Sequence, residues 1–325
     1  MARFLGVDIS KAKFDVALLL PNSKFKSKAF SNDQPGHAAL LDWLGSHMQP
    51  DEPLHVCMEA TGHYHEALAC YLHDRGCTVS VVNPLLVKRF AELNRIRNKT
   101  DAADAKCLAL YCRDQSPEPW LAPSAAVRTL QALVARLDTL NAMRQAESNR
   151  LDVAHQSVAD SIRKVMTELD AAIAQVKEQI ARTIDDDPDL KKRAQLLQTI
   201  PGLGERTIPQ LLAYIGEPRR FKSAKALVAY ASLAPVIRQS GSSLDQRRGM
   251  HSLGHHDLRR LLYFPALVAG RYNPLIAAFW KRLQAQNKPG KVIVVACMHK
   301  LLTIIYAVLR SEKPFDPMHI RAAIA

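Results

Sequence analysis

Hydrophobic and polar positions in the first third of the chain follow two periods. Five short apolar runs predict strands, at 4–9, 14–20, 25–30, 55–59 and 78–82. Four segments have helical spacing or a helix-start signal. One follows the third strand, at 34–48, one lies between the fourth and fifth strands, at 62–75, and two follow the fifth, from 83 onward and at 101–114. Three strands followed by alternating helices and strands predict an α/β domain over residues 1–120.

Prolines at positions 117, 119 and 123 mark a boundary after which the apolar positions take a heptad-like spacing. One seam repeats at intervals of three and four residues, through Val158, Ile162, Val165, Leu169, Ile173, Val176 and Ile180. It predicts a coiled-coil segment over 121–189, as one long helix or as a helical hairpin. The seam can pair with a second copy or form the core of a bundle. Residues 190–325 are predicted to be helical, with breaks at glycine and proline.

The positive charge of the chain is concentrated in its C-terminal part. Residues 190–325 carry 22 Lys+Arg and 6 Asp+Glu, whereas the whole chain has a net charge of +13. This asymmetry predicts a polyanionic partner. Nucleic acid fits better than an anionic membrane surface, because no basic amphipathic helix stands alone at an end.

Composition excludes several classes of protein. With 48% hydrophobic residues the chain is not intrinsically disordered, and no uncharged apolar run approaches the ~20 residues that span a bilayer. Six cysteines without paired spacing, and charges too close to the N-terminus for a signal peptide, predict a cytoplasmic protein with reduced thiols. The histidine pairs lack partners at zinc-site spacing.

Four acidic residues occur where strands and a helix would bring carboxylates together. Asp8 ends the first strand pattern and Glu59 ends the fourth. Asp101 and Asp104 lie on one face of a predicted helix. Four converging carboxylates repel one another unless cations bridge them, and two Mg²⁺ ions suit such ligands and can act on a phosphoryl group. This order of acids is that of ribonuclease-H-like nucleases of the Holliday-junction-resolvase type. The alternative is an ordinary helix start, with Thr100 as N-cap.

Two segments of the C-terminal part carry further candidates. The segment 200–204, between two helical patterns, resembles a helix-hairpin-helix in which Gly202 and Gly204 let backbone N–H groups approach a DNA phosphate. An ordinary turn between helices is the alternative. A basic loop follows with three candidate nucleophiles among which the residues themselves leave the choice open, Ser240, Ser242 and Ser243. Five arginines nearby are candidates for contacts with phosphate, Arg238, Arg247, Arg248, Arg259 and Arg260.

Six segments, in order along essentially the whole chain, carry a more specific signal: GVDISK at 6–11, EATG at 59–62, KTDAADA at 99–105, IPGLG at 200–204, YASLAP at 230–235 and RQSG at 238–241. Together they resemble the signature of the DEDD insertion-sequence transposases, the "one-ten" family. That family includes the pilin-gene invertases and is understood as the bridge-RNA-guided recombinases.

The resemblance implies a function for each part of the chain. Residues 1–120 would form a ribonuclease-H-like domain whose metal-binding tetrad is Asp8, Glu59, Asp101 and Asp104. Residues 121–189 would dimerise as a coiled coil, and residues 190–325 would carry the nucleophile, which the RQSG segment places at Ser240. The implied reaction is DNA strand exchange through a phosphoserine linkage, with Mg²⁺ at the tetrad and the tetrad and serine from different subunits.

The resemblance also implies partners. These are donor and target DNA, a structured noncoding bridge RNA that pairs with both, and further copies of the chain. The copies would form a homodimer, and a tetramer in the synaptic complex. The protein would be cytoplasmic and associated with the nucleoid when active.

One segment departs from the family pattern. Where the family often has a Ser-Lys-x-Gly-like segment, residues 251–256 read HSLGHH, so a cation is missing and the phosphate contacts around 247–260 are left open. Two other functions remain as alternatives. A metal-dependent, junction-resolving nuclease would not need Ser240, and a non-catalytic DNA-binding module would need neither Ser240 nor the acids.

Overall fold

The computed structural model describes residues 3–49, 51–60, 64–95, 100–240, 244–250 and 254–318, and for residues 235–240 and 244–250 it describes the backbone alone. The chain divides into two compact units, Met1–Ala122 and Pro123–Ala325. The second unit contains both the heptad-like segment and the C-terminal segment, which share one hydrophobic core. The division into 1–120, 121–189 and 190–325 therefore stays a prediction.

The first unit is built on a five-stranded mixed sheet. Its strands are β1 (Arg3–Ile9), β2 (Lys13–Leu19), β3 (Phe25–Ser31), β4 (Leu54–Glu59) and β5 (Thr78–Val82). Its helices are α1 (Gln34–Gly45), α2 (Glu66–His73), α3 (Pro84–Leu93) and α4 (Asp101–Gln115). The strand order is β3-β2-β1-β4-β5, in which β1 is antiparallel to β2 and parallel to β4. The mixed α/β fold predicted for this part of the chain is confirmed, and it is consistent with a ribonuclease-H-like domain.

The two faces of β1 are covered differently. Leu5, Val7 and Ile9 are buried in the hydrophobic core on one face. On the other face α4 lies directly over Gly6: a Cβ atom there would come within 1.9 Å of the carbonyl oxygen of Ala105. Any side chain at this position would push α4 away from the strand, so the glycine sets the distance between them.

The heptad-like segment is a helical hairpin, which decides between the two forms that the sequence left open. Its helices are α5 (Ala125–Asp152) and α6 (Gln156–Asp186). Three residues of the seam far from the turn are buried in the core of the second unit, Ile173, Val176 and Ile180. Nearer the turn, Val158 and Val165 are 47% and 45% exposed. Part of the seam thus forms an intramolecular core, and dimerisation through its exposed part stays a prediction.

Among the described residues of the C-terminal part, the regular elements are helices and one antiparallel ribbon. The helices are α7 (Pro188–Gln198), α8 (Ile208–Ile215), α9 (Ala224–Tyr230), α10 (His256–Leu261), α11 (Tyr263–Tyr272), α12 (Pro274–Ala285) and α13 (Gly290–Ser311). The ribbon pairs β6 (Pro235–Ser240) with β7 (Leu244–Met250). The sequence predicted a basic loop here within a helical C-terminal part, and the two strands were not predicted. Arginine, glutamine and serine occupy much of the ribbon, so it lacks the apolar alternation by which strands are recognised.

By length and composition, α13 is long and apolar enough to cross a membrane. However, 61% of its most apolar stretch of 18 residues is buried inside the protein. It belongs to the same hydrophobic core as α7 and α9, through residues such as Cys297, Leu301 and Ile305. A core helix accounts for this composition, because burial among other helices requires the same apolar residues as a membrane does.

Candidate active site

Adjacent parallel strands place Asp8 and Glu59 side by side. β1 pairs with β4 so that Val7 lies opposite Met58, and Asp8 and Glu59 are the next residue on each strand. Side chains alternate along a strand, so Asp8 lies on the same face as Gly6, which is the face that α4 covers. Two of the four predicted acids therefore point towards one helix.

The other two acids lie in the first turn of that helix. Asp101 and Asp104 follow the N-cap residue Thr100, whose Oγ1 accepts a hydrogen bond of 3.2 Å from the backbone N–H of Ala103. The ordinary helix start considered from the sequence is thus confirmed. It does not compete with a metal-binding role, because the cap uses the threonine hydroxyl and neither carboxylate.

The titration of Asp8 shows that the acids lie close enough to affect one another. Partial burial, as the larger cause, raises the pKa of Asp8 to about 6. The negative charges of Asp104, Asp101 and Asp15 add to this effect. Three carboxylates in addition to Asp8 therefore share one neighbourhood.

Glu59 lies near the other acids, as its effect on Cys107 shows; Cys107 is one turn along α4 from Asp104. Burial raises the pKa of the Cys107 thiol to about 11, and the negative charges of Asp104 and Glu59 contribute. The charges of both carboxylates thus raise the pKa of one thiol. Asp8, Glu59, Asp101 and Asp104, together with Asp15, form an acid cluster.

Two residues of this site were missed in the sequence analysis. The antiparallel register of β1 and β2 places Asp15 directly opposite Asp8. Two residues earlier on β2, the Nζ atom of Lys13 donates to Asp15 Oδ2 at 3.0 Å and to Asp101 Oδ2 at 2.8 Å. The hydrogen bond from Lys13 lowers the pKa of Asp101. The spacing of Lys13 and Asp15 on one strand was the available signal, but only the register connects them to Asp8 and Asp101.

The donor chemistry of the acid cluster fits a hard divalent cation. Carboxylate oxygens are the protein ligands that Mg²⁺ prefers, and the mutual repulsion that raises the pKa of Asp8 is what a bound cation relieves. Among the residues that the structure describes, no three acidic, histidine or cysteine side chains are close enough to hold an ion. One of the candidate ligands, Asp101, is held by Lys13 instead.

Replacing Asp8 by Asn should stabilise the metal-free protein at neutral pH. The pKa of Asp8 in the folded protein, about 6, lies above the ordinary value of 3.8 for an aspartate, so the favourable contribution of its protonated form is present below pH 4 and is lost as the pH rises through 6. At pH 7.5 in EDTA we expect the free energy of unfolding to rise by about 1 kcal/mol, a value reduced for solvent screening. The gain should disappear at pH 4. Thermal melts across this range measure it, with the exposed Asp42→Asn on α1 as control; equal gains in both variants would contradict the prediction.

The glycines of the 200–204 segment have different surroundings. Gly202 has a φ of +108°, and a Cβ atom there would lie 2.6 Å from Cβ of Ala269 on α11. Gly202 is therefore required for close packing between the α7–α8 turn and α11. A Cβ atom at Gly204 would meet no other atom within 4 Å. The helix-hairpin-helix geometry and the phosphate contacts of both glycines stay predictions.

Ser240 is the last residue of β6. It pairs with Leu244, while Arg238 pairs with Gln246, Ile237 with Arg247 and Val236 with Arg248. The backbones of Arg238, Arg247 and Arg248 therefore lie on the two paired strands, of which the first ends at Ser240. Ser242 and Ser243 lie outside the described residues, as do positions 251–253 of the segment that departs from the family pattern.

Arg259 and Arg260 lie on α10. Arg260 forms an ion pair of 3.0 Å with Asp257, and the Nη2 atom of Arg259 is 3.2 Å from Nδ1 of His256. The neighbouring His255 caps the helix, since its Nδ1 accepts a hydrogen bond of 3.1 Å from the backbone N–H of Leu258. His255 is thus a structural residue, whereas DNA or RNA contacts of the two arginines stay predictions.

Comparison with known proteins matches both halves of the chain. Residues 5–158 match a transposase model of the DEDD IS110 type, and residues 194–281 match the model "Transposase IS116/IS110/IS902 family". The chain is also 37% identical over 315 residues to the pilin gene-inverting proteins of Moraxella lacunata and Moraxella bovis, covering 96% of this chain and 97% of each relative. The chain belongs to the IS110 transposase family.

More distant relatives agree with this assignment. A probable family 20 transposase of Pseudomonas aeruginosa is 24% identical over 303 residues, which covers 82% of this chain and 86% of the relative. The first model match contains the four predicted tetrad residues, and the second contains Ser240. This transposase acts on DNA, as an enzyme of DNA recombination.

Proposed function

We propose that this transposase cleaves and rejoins DNA through Ser240, with two Mg²⁺ ions held by Asp8, Glu59, Asp101 and Asp104 and with a noncoding RNA that pairs with donor and target DNA. The observation that supports it most is the position of Asp8, which lies on the α4 face of the sheet and titrates under the charges of Asp101 and Asp104. A partly buried Asp8 under the charges of neighbouring carboxylates is costly for a protein that has no use for them.

The tetrad would hold the ions from three elements, two paired strands and the helix packed on them. Asp8 and Glu59 extend from neighbouring strands, and Asp101 and Asp104 from the first turn of the helix that Gly6 holds against β1. When bound, Mg²⁺ supplies positive charge for the phosphate and for the oxygen that leaves it. The carboxylates themselves contribute position and the negative charge that attracts the ions.

Ser240 would carry the covalent step. Its Oγ atom forms a bond to phosphorus while the bond between phosphorus and one sugar oxygen breaks; the serine loses its proton to solvent and the released sugar oxygen gains one. The phosphoserine linkage then keeps a phosphate ester available for rejoining to another strand. Arginine charge at the β6–β7 ribbon, from Arg238, Arg247 and Arg248, would stabilise the negative charge of the pentacovalent phosphate.

The partners of the reaction are proposed from charge and from the exposed seam. Residues 190–325 carry an excess of sixteen positive charges, from 22 Lys+Arg and 6 Asp+Glu, which is enough for more than one polyanion. Val158 and Val165 leave part of the α6 seam exposed, where a second copy would bury it in a homodimer, and two dimers would meet in a synaptic tetramer. Tetrad and serine, from one chain or from two, would act on the same phosphate.

The guidance step has a direct test. Purified protein, Mg²⁺, and donor and target DNA should recombine only when RNA transcribed from the DNA that flanks the gene is added. RNA binding should weaken steeply as salt rises from 50 to 200 mM, because each phosphate contact releases counterions. Efficient recombination without any RNA would refute guidance, while a scrambled RNA of equal length serves as control.

A second function is favoured by the fact that the acid cluster lies wholly in the first unit. Such a cluster can support metal-dependent hydrolysis of DNA junctions without a serine, as a junction-resolving nuclease does. The two functions differ in one product, since only the serine reaction leaves protein covalently attached to DNA.

A further inference from the structure

Lys13 occupies an unusual place for a surface lysine. It begins β2, and its ammonium group lies between Asp15 Oδ2 at 3.0 Å and Asp101 Oδ2 at 2.8 Å. The two partners lie 86 positions apart along the chain, one on the strand beside β1 and the other in the first turn of α4. Lys13 therefore connects the sheet to the helix at the acid cluster.

A metal ion and this ammonium group weaken each other's binding when both contact the same carboxylate oxygen. Mg²⁺ binds carboxylate oxygens at about 2.0–2.1 Å, so a lysine hydrogen-bonded to Asp101 Oδ2 would lie within a few ångströms of the ion. Two positive charges at such a distance repel each other. Binding of the ion to Asp101 must therefore displace Lys13 or weaken its hold on that oxygen.

We propose that Lys13 competes with the divalent cation for Asp101, holding this carboxylate in the metal-free protein and releasing it when the ion binds. The inference rests on the proposed function, because it takes Asp101 as a metal ligand. Asp15 makes the exchange possible at low cost: Lys13 keeps one carboxylate partner after it gives up the other. Asp15 thereby acts as a positioning residue for Lys13.

Lys13 also has the exposure that an exchange requires. Its side chain is 51% exposed and that of Asp101 is 58% exposed, whereas Asp15 is 17% exposed. The pair with Asp101 is thus open to solvent, and a hydrated ion can reach it. The pair with Asp15 is the more enclosed of the two.

The test measures binding of Mn²⁺, as a stand-in for Mg²⁺, from the loss of the electron paramagnetic resonance signal of the free ion. Lys13→Met should tighten binding by roughly fivefold, the scale expected when one competing exposed ion pair is removed. Lys13→Arg, which keeps the charge and can keep both partners, should bind like the wild type. Lys11→Met is the matched control, because it removes an equal charge from an exposed position two residues away.

A double-mutant cycle separates direct competition from a general change of charge. With Asp101→Asn already in place, Lys13→Met should no longer alter Mn²⁺ affinity. If Lys13→Met and Lys11→Met tighten binding equally, or if Lys13→Met weakens binding, the competition is refuted. If the wild-type protein binds no Mn²⁺, the proposed metal function fails before the role of Lys13 is reached.

Discussion

Alanine in place of Asp104 is expected to abolish DNA cleavage and strand exchange while the fold is kept. Asp104 lies in the first turn of α4, where its charge acts on both Asp8 and Cys107. Loss of one carboxylate from a metal-binding tetrad removes charge stabilisation from the transition state, for which we expect a rate loss of at least about a hundredfold. Quantitative strand-exchange assays with Mg²⁺ measure this loss, and circular dichroism checks the fold.

The control for this substitution lies on the same helix. Asp114→Ala removes an exposed aspartate near the end of α4 that pairs with Arg113, and it should leave activity within a few-fold of the wild type. Equivalent changes at Asp8, Glu59 and Asp101 should match the loss seen at Asp104. Retained activity in any two of the four variants, or activity in EDTA, would contradict the assignment of the tetrad.

Ser240→Ala should prevent any covalent attachment of protein to DNA without preventing DNA binding. An alcohol is a weak nucleophile at neutral pH, and neither neighbour of Ser240 in the sequence is a carboxylate or a histidine that could act as base. Under the proposed mechanism, activation would come from groups elsewhere, and we expect the step to depend on the tetrad as well. A denaturing gel with labelled DNA and Mg²⁺ should show a retarded band for the wild type and none for Ser240→Ala.

Neighbouring serines provide the control for this experiment. Ser242→Ala and Ser243→Ala should still form the covalent species. If the band persists in Ser240→Ala but is lost in one of the other two variants, the serine replaced in that variant is the nucleophile. Metal-dependent cleavage without a retarded band in any variant would favour the junction-resolving nuclease.

The order of strands and helices in the first unit could be predicted because each element carries its own periodicity and end signals. Asp8, Glu59 and the two acids of α4 were recognisable for the same reason: each ends or begins a predicted element. Lys13 and Asp15 were not, because their meeting with Asp101 and Asp8 depends on the register between β1 and β2. Local periodicity contains no information on register between strands.

Two features of the second unit likewise could not be predicted from local periodicity. The seam of α6 has one continuous spacing, yet Ile180 is buried in the core while Val158 is exposed, because the neighbours of each residue come from distant segments. The β6–β7 ribbon was missed because Arg238 and Gln239 stand at positions where a buried strand would have apolar residues. For the seam, the tertiary partner rather than the local sequence determines the environment of each residue.

The close approach of α4 to β1 at Gly6 has a consequence for the evolution of this enzyme. The acids cannot move apart to relieve their repulsion, because the helix that carries two of them is held at a backbone contact next to Asp104. A substitution that removes one of these charges is therefore expected to raise thermal stability and to lower catalytic activity. Selection for thermostable variants in the absence of divalent ions should enrich neutral residues at Asp8, and the proteins recovered should be stable and inactive.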